Sequence, residues 1–207
     1  MIKGILFDID GVLIDSLHAN TKFFQEILTL SGYRKPTKKD IAAAFHLPMW
    51  NLIQNLTLEE SEERVWEIWK FGQRHPYPLH LLKAPVGANA IVRDLNKKYD
   101  LALVSSRSKR GIEYYFRFSK LKRYFKTFVC YEDTKNHKPH PDPLLLAAKR
   151  LNINPHECVY VGDSPTDVEA GRAAGMKTIW HGKRSPKLAT AATSSFTHIP
   201  KIVSRLA

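Results

Sequence analysis

The chain has 207 residues, 43% apolar and 25% charged, with a formal net charge of +12, a composition that suits one globular domain with at most a modest insertion. No apolar run approaches the ~18 residues a membrane helix needs, and Asp8 interrupts the first apolar stretch too early for a secretory signal. Cys130 and Cys158 lack metal-type spacing and lie in apolar surroundings, so they read as buried free thiols of a soluble, cytoplasmic protein.

In chain order, the first element is a strand, Ile5-Leu6-Phe7, which runs into Asp8, Asp10 and Gly11. Two carboxylates so close require a cation between them or a proton on one of them, although D-x-D-G also suits a plain turn. From Ser16 to about Lys83 the pattern is helical. Leu17, Phe24, Ile27 and Leu28 share one face, and Gly32 is placed to end that helix. Thr37 with Asp40 forms a capping-box signal, and Thr57 with Glu60 repeats it ahead of Val65, Ile68, Trp69 and Phe71. His75-Pro76-Tyr77-Pro78 then breaks the pattern.

From about Pro85 a helix (88–99) precedes the apolar run 101–104, and further runs at 127–131, 158–162 and 177–180 alternate with helical segments. That alternation predicts an α/β fold, a doubly wound parallel sheet with helices on both faces. The first strand belongs to this sheet, so residues 1–15 and 85–207 form the α/β core and 16–84 a helical insertion. Sites in such sheets lie at the strand ends, where the insertion would act as a lid. Between Arg107 and Lys126 eight Lys or Arg face one acid, Glu113. This reads as the solvated side of helices whose aromatics are buried, with a nucleic-acid footprint as the alternative. A basic surface also draws small phosphorylated anions.

The apolar runs end in a distinctive polar set. Leu103-Val104 leads to Ser105-Ser106, and Tyr160-Val161-Gly162 leads to Asp163 and Asp167. Between them Lys138 precedes a helix that Asp142 can cap and Pro143 can begin. Singly these are unremarkable: serines cap helices, lysines lie on surfaces, and Asp167 would suit a helix first turn. Together they bring four carboxylates, a serine pair and a lysine to one sheet edge.

Strand-DxDG, strand-S, K-P and strand-GDxxxD, in that order, resemble the motifs of the haloacid dehalogenase superfamily. The helical insert after the first strand resembles the cap of its phosphoglycolate-phosphatase-like branch. The likeness runs from Gly4 to about Gly182, and a terminal strand and helix (196–206) are compatible with it. It implies a phosphatase in which Asp8 attacks phosphorus and forms an aspartyl-phosphate. Asp10 would protonate the leaving oxygen and later deprotonate water. Ser105, Ser106 and Lys138 would bind the phosphate. The chemistry of the residues agrees: Mg2+ prefers oxygen ligands, which Asp8, Asp163 and the Asp10 carbonyl can supply. Gly11 would let the backbone turn near the phosphate, and Asp167 would contact Lys138 or a metal-bound water.

The Asp at position 10 favours phosphate ester or anhydride chemistry over dehalogenation. The stretch 45–50 contains no arginine of the kind that mutase caps use, so hydrolysis is preferred to phosphate return. His46, Met49 and Trp50 are candidates to face the leaving group, or else to pack the lid. The expected partner is a small phosphorylated metabolite such as phosphoglycolate, a sugar phosphate or a nucleotide. A phosphomutase, or a non-catalytic basic protein binding nucleic acid or a partner, are the alternatives.

Overall fold

The computed structural model describes residues 1–183 and 187–206, so the expected core boundary at 207 lies outside the described residues. Six parallel strands form one sheet in the order β3-β2-β1-β4-β5-β6. They are β1 (Gly4–Phe7), β2 (Asp100–Val104), β3 (Thr127–Val129), β4 (Cys158–Gly162), β5 (Lys177–His181) and β6 (Ala191–Thr193). The first strand in the chain is central, with Phe7 paired to Leu103 on one side and Val161 on the other.

Alternation along each strand divides its side chains between two cores. Ile5 and Phe7 face one layer with Leu101, Leu103, Val159 and Val161. On that side lie α5 (Ala88–Asn96), α6 (Lys109–Ser119) and α9 (Ile199–Leu206). Leu6 faces the other layer with Ala102, Val104 and Tyr160, covered by α7 (Asp142–Leu151) and α8 (Pro165–Ala173). The central strands are covered on both faces, which is why they read as continuous apolar runs.

The inserted segment folds as four helices: α1 (Leu17–Leu30), α2 (Lys38–Ala43), α3 (Met49–Thr57) and α4 (Glu62–Arg74). They enclose their own apolar cluster around Ile27, Leu28, Ile41, Ile53, Val65 and Ile68. The chain entering and leaving this bundle is clamped together, since the Asp15 and Lys83 backbones exchange hydrogen bonds of 2.7 and 3.2 Å. Thr37 and Asp40 form the expected capping box on α2.

Several local expectations differ from the structure. Helix α4 is capped by Ser61, which accepts from the Arg64 N–H, not by Thr57. The Thr57 hydroxyl instead donates back to the Ile53 carbonyl at the end of α3. Pro48 stands just before α3, where a proline lacks only an N–H that has no intrahelical partner. Asp142 is the first residue of α7, one place inside the cap position. Ser108 caps α6, which leaves Ser105 and Ser106 free of that duty. The last strand precedes Phe196 and is made of Ala191-Ala192-Thr193, too short and too poor in β-branched residues to signal itself. Cys130 and Cys158 are buried free thiols. In the basic segment Tyr115, Phe116 and Phe125 are buried. Among the described residues no helix is long and apolar enough to cross a membrane.

Candidate active site

The C-terminal ends of β1, β2 and β4 deliver the polar set to one place. Asp8 follows β1 directly, and its N–H donates to the Val161 carbonyl at 2.9 Å, which extends the ladder by one residue and fixes the carboxylate's origin. Ser105 follows β2, held by its N–H on Val129 O at 3.1 Å. Asp163 follows β4. Gly11, at φ +72°, lies beneath it: a Cβ there would fall 1.7 Å from Asp163 Oδ2. The glycine is therefore required by the carboxylate packed on it as well as by its left-handed backbone.

Lys138 and Asp167 form the fixed part of the site. Lys138 Nζ donates to Asp167 Oδ1 at 2.7 Å and to the Tyr160 hydroxyl at 3.0 Å. Tyr160 donates to the same Asp167 oxygen at 2.9 Å. The other Asp167 oxygen accepts from the Ser164 hydroxyl and from the N–H groups of Asp163 and Ser164. With its acceptor sites so filled, Asp167 is a positioning group for Lys138 and for the start of α8. Burial alone would raise its carboxyl, but Lys138 and the Ser164 hydrogen bonds outweigh burial and hold it low.

Asp8 has the opposite environment. Lys138 Nζ lies 3.3 Å from its Oδ1, but outside hydrogen-bond geometry, and that oxygen is buried without a hydrogen-bond partner. Burial, with Asp167 and Asp10 nearby and Lys138 opposing, raises the Asp8 carboxyl to about 7. Burial and the charges of Asp8 and Asp167 likewise push Asp163 up to about 8. Oxygens of Asp8, Asp163 and Asp167 come within 4.8 Å of one another. An orphaned buried carboxylate oxygen facing a second carboxylate is the donor set a hard divalent cation fits, and Asp8 with Asp163 are the two whose oxygens are not already satisfied.

Asp10 is held from the other side by Arg107. The guanidinium reaches it with Nε at 2.7 Å from Oδ2 and Nη2 at 2.7 Å from Oδ1. Ser16 donates to Oδ1 as well. Burial raises the Asp10 carboxyl, but Arg107 and Ser16 overcome it and keep it below the ordinary carboxylate range. Arg107 was hidden in the basic run that reads as solvated helix. Its position two residues past a strand-end serine was the available signal. Tyr77, in the His-Pro-Tyr-Pro break, was not legible as a site residue. Its ring lies 5.3 Å from the guanidinium carbon, and its hydroxyl donates to Asn20 at 2.5 Å.

These groups line a cavity of about 110 Å³ between the sheet edge and the bundle. Asp8, Asp10, Ser105, Ser106, Lys138 and Asp163 contribute from below, and His46 and Met49 from above. Trp50 is not in the lining; it packs in the bundle against Trp66, ring centroids 6.2 Å apart. A hydrogen bond of 3.1 Å from Ser108 to the Gln73 side chain ties the core to the bundle at the rim.

Comparison with known proteins agrees with this architecture. Residues 5–181 match the family model described as haloacid dehalogenase-like hydrolase. Pyrophosphatase PpaX of Bacillus cereus is 28% identical over 178 residues, covering 86% of this chain and 82% of the relative. Its counterpart from Anoxybacillus flavithermus is 28% identical over 193 residues, covering 91% and 89%. Among solved structures, β-phosphoglucomutase from Clostridium difficile superposes with a TM-score of 0.85 at 21% identity, over 100% of this chain and 97% of that one. At that identity the likeness speaks for the fold. The chain belongs to the haloacid dehalogenase-like hydrolase family.

Proposed function

We propose that this chain is a Mg2+-dependent phosphatase that hydrolyses a compact phosphate ester or anhydride through an aspartyl-phosphate on Asp8. The observation that carries the reading is the Asp8 carboxylate itself. It stands at the end of the central strand, buried, with one oxygen lacking a hydrogen bond, between Lys138 and Asp163. A structural carboxylate this deep would be satisfied as Asp167 is; a nucleophile must keep an oxygen available.

Asp8 and Asp163, with the Asp10 carbonyl, would hold the cation, which when bound offsets the charge of carboxylates and phosphate. Lys138, fixed by Asp167 and Tyr160, places positive charge beside Asp8, where the equatorial phosphoryl oxygens would lie. Ser105 and Ser106 supply hydroxyl or N–H donors at the neighbouring strand end. An Asp8 oxygen forms the new bond to phosphorus as the bond to the leaving oxygen breaks. The leaving oxygen takes the proton that Asp10 gained from water in the preceding turnover or, in an anhydride, departs as a phosphate that needs little help. Asp10 as the carboxylate seen here then takes a proton from the water that attacks the aspartyl-phosphate, releasing orthophosphate and restoring Asp8. The PpaX relatives are pyrophosphatases by name, which supports anhydrides as one candidate class; phosphoglycolate and sugar phosphates are the others. The stretch 45–50 offers His46 and Met49 to the cavity and no cation comparable to Arg107, which supports hydrolysis over return of phosphate to a sugar.

The test is orthophosphate release from pyrophosphate, phosphoglycolate, sugar phosphates and p-nitrophenyl phosphate. Each is run with Mg2+, with chelator, and with Asp8→Asn. Release that falls by at least ~10⁴-fold in the variant, and stops with chelator, is the expected result. Release that survives Asp8→Asn would place the chemistry elsewhere.

A further inference from the structure

Three cations line this cavity, Lys138, Arg107 and Arg110, and only Lys138 belongs with Asp8. Lys138 is committed to Asp8 and Asp167. Arg107 stands on the far side of Asp10, the side toward which a leaving group must point if Asp10 is to exchange a proton with it. The side chain is 11% exposed. Nε and Nη2 are used on Asp10 and Tyr77, whereas Nη1 has no hydrogen-bond partner among the described residues.

We infer that Arg107 is a receptor for a second anionic group on the substrate, so that the preferred substrate is a compact molecule with a phosphate or carboxylate on its leaving part. The inference rests on the hydrolase reading above and narrows its substrate class. Three observations converge on it. First, the guanidinium is preorganised. Tyr77 covers it, and Tyr77 is itself stacked on Tyr114 at 5.4 Å and 18° and anchored to Asn20. A fixed fork loses little freedom when it binds an oxyanion. Second, the leaving-group wall mixes the apolar Phe23, Phe45, Leu47 and Leu52 with the uncharged Asn20 and Gln73 and with His46. Among the described residues, Arg107 and the exposed Arg110 are the guanidinium groups that line this side. Third, the space is small, about 110 Å³, against the ~300 Å³ at which pockets for drug-sized ligands begin. The second anion must lie close to the first. Arg110, which donates to the Tyr114 hydroxyl at 2.8 Å and also lines the cavity, adds positive potential at the rim.

The arrangement also gives Arg107 a consequence for Asp10. An oxyanion drawing on the guanidinium competes with the Asp10 carboxylate for it, so substrate binding and the freeing of Asp10 are one event. A substrate without the second anion leaves the pair closed.

The experiment compares the wild type, Arg107→Met and Arg107→Lys, all with Mg2+. Kinetics gives the ratio of kcat/KM for pyrophosphate, and separately for phosphoglycolate, to that for p-nitrophenyl phosphate. Calorimetry gives the affinities for methylenediphosphonate and methylphosphonate, which do not turn over. The expected result is that for at least one doubly anionic substrate the ratio falls roughly 30-fold in Arg107→Met, the size of a lost charged hydrogen bond. Preference for methylenediphosphonate over methylphosphonate should fall in parallel, and Arg107→Lys should recover part of both. An equal loss for all substrates, with the diphosphonate preference unchanged, would overturn the inference and make Arg107 a positioning residue for Asp10. A wild type inactive on every ester and anhydride, but binding methylenediphosphonate through Arg107, would remove the hydrolase reading and leave the receptor standing.

Discussion

The sheet edge and the helical bundle meet the same cavity but are built under different rules. At the sheet edge almost every polar atom has an assigned partner. Asp167 alone accepts from Lys138, Tyr160, Ser164 and two backbone N–H groups. Asp8 Oδ1 has none, and the proposed function places the nucleophile there. The bundle instead is held by an apolar cluster and ordinary caps, such as the Thr37–Asp40 box. It gives the cavity mostly apolar side chains. A change at the edge therefore breaks a network, whereas a change in the bundle moves packing and fit. On the proposed function, reaction type rests on the edge, and substrate fit rests on the bundle together with Arg107 beside β2.

Lys138→Met is the most severe break of that comparison short of Asp8 itself. It removes the charge beside the proposed phosphoryl site and leaves Asp8 and Asp167 buried without their cation. Phosphate release should fall about 10³-fold, and urea unfolding should show a loss of ~3–5 kcal/mol. An active, stable Lys138→Met protein would mean that the edge is not a coupled network.

Next in size is the effect of pH on the metal-free protein. Asp8 and Asp163 titrate near 7 and 8 when folded, against ~3.9 in an unfolded chain. Between these limits the folded protein holds protons that the unfolded chain has released. The stability these groups contribute is full below about pH 4 and is lost as pH rises through 7 and 8. Mg2+ must displace the same protons, so its stabilising effect should grow with pH. The rise in Tm on adding Mg2+ should be clearly larger at pH 8 than at pH 5.5, measured by thermal unfolding. An equal rise at both would contradict the assignment of Asp8 and Asp163 as its ligands.

The smallest effect is in the bundle. Thr37→Ala removes the α2 capping box, which is not part of the cavity lining, and should cost ~1 kcal/mol with phosphate release per folded molecule unchanged. A loss of activity without a loss of stability would show that the bundle's packing reaches the chemistry.

What was legible from sequence follows the same division. Asp8, Asp10, Ser105, Lys138, Asp163 and Asp167 follow strands or precede helices in a fixed order, so motif spacing alone brings them together. The structure adds what spacing cannot carry. Tyr160 supports Lys138 only because alternation turns it to the α7 and α8 face of β4. Arg107 was read as one of eight cations in a basic run, and its burial against Asp10 depends on Tyr77 reaching across from the linker. In the bundle the helical period was clear, yet Thr57 ends α3 and Ser61 caps α4, because a Thr near a helix terminus suits either side of it. Trp50 drew attention as a large side chain in the lid loop and is used in packing instead.

The most direct test of the account is to trap the phosphorylated enzyme. Wild-type protein with Mg2+ is mixed with a radiolabelled form of the ester or anhydride found to be hydrolysed, quenched in acid within the first turnover, and mapped by peptide. The account predicts label on the peptide containing Asp8 and none in Asp8→Asn. Label on another residue, or turnover with no labelled protein at any quench time, would contradict it.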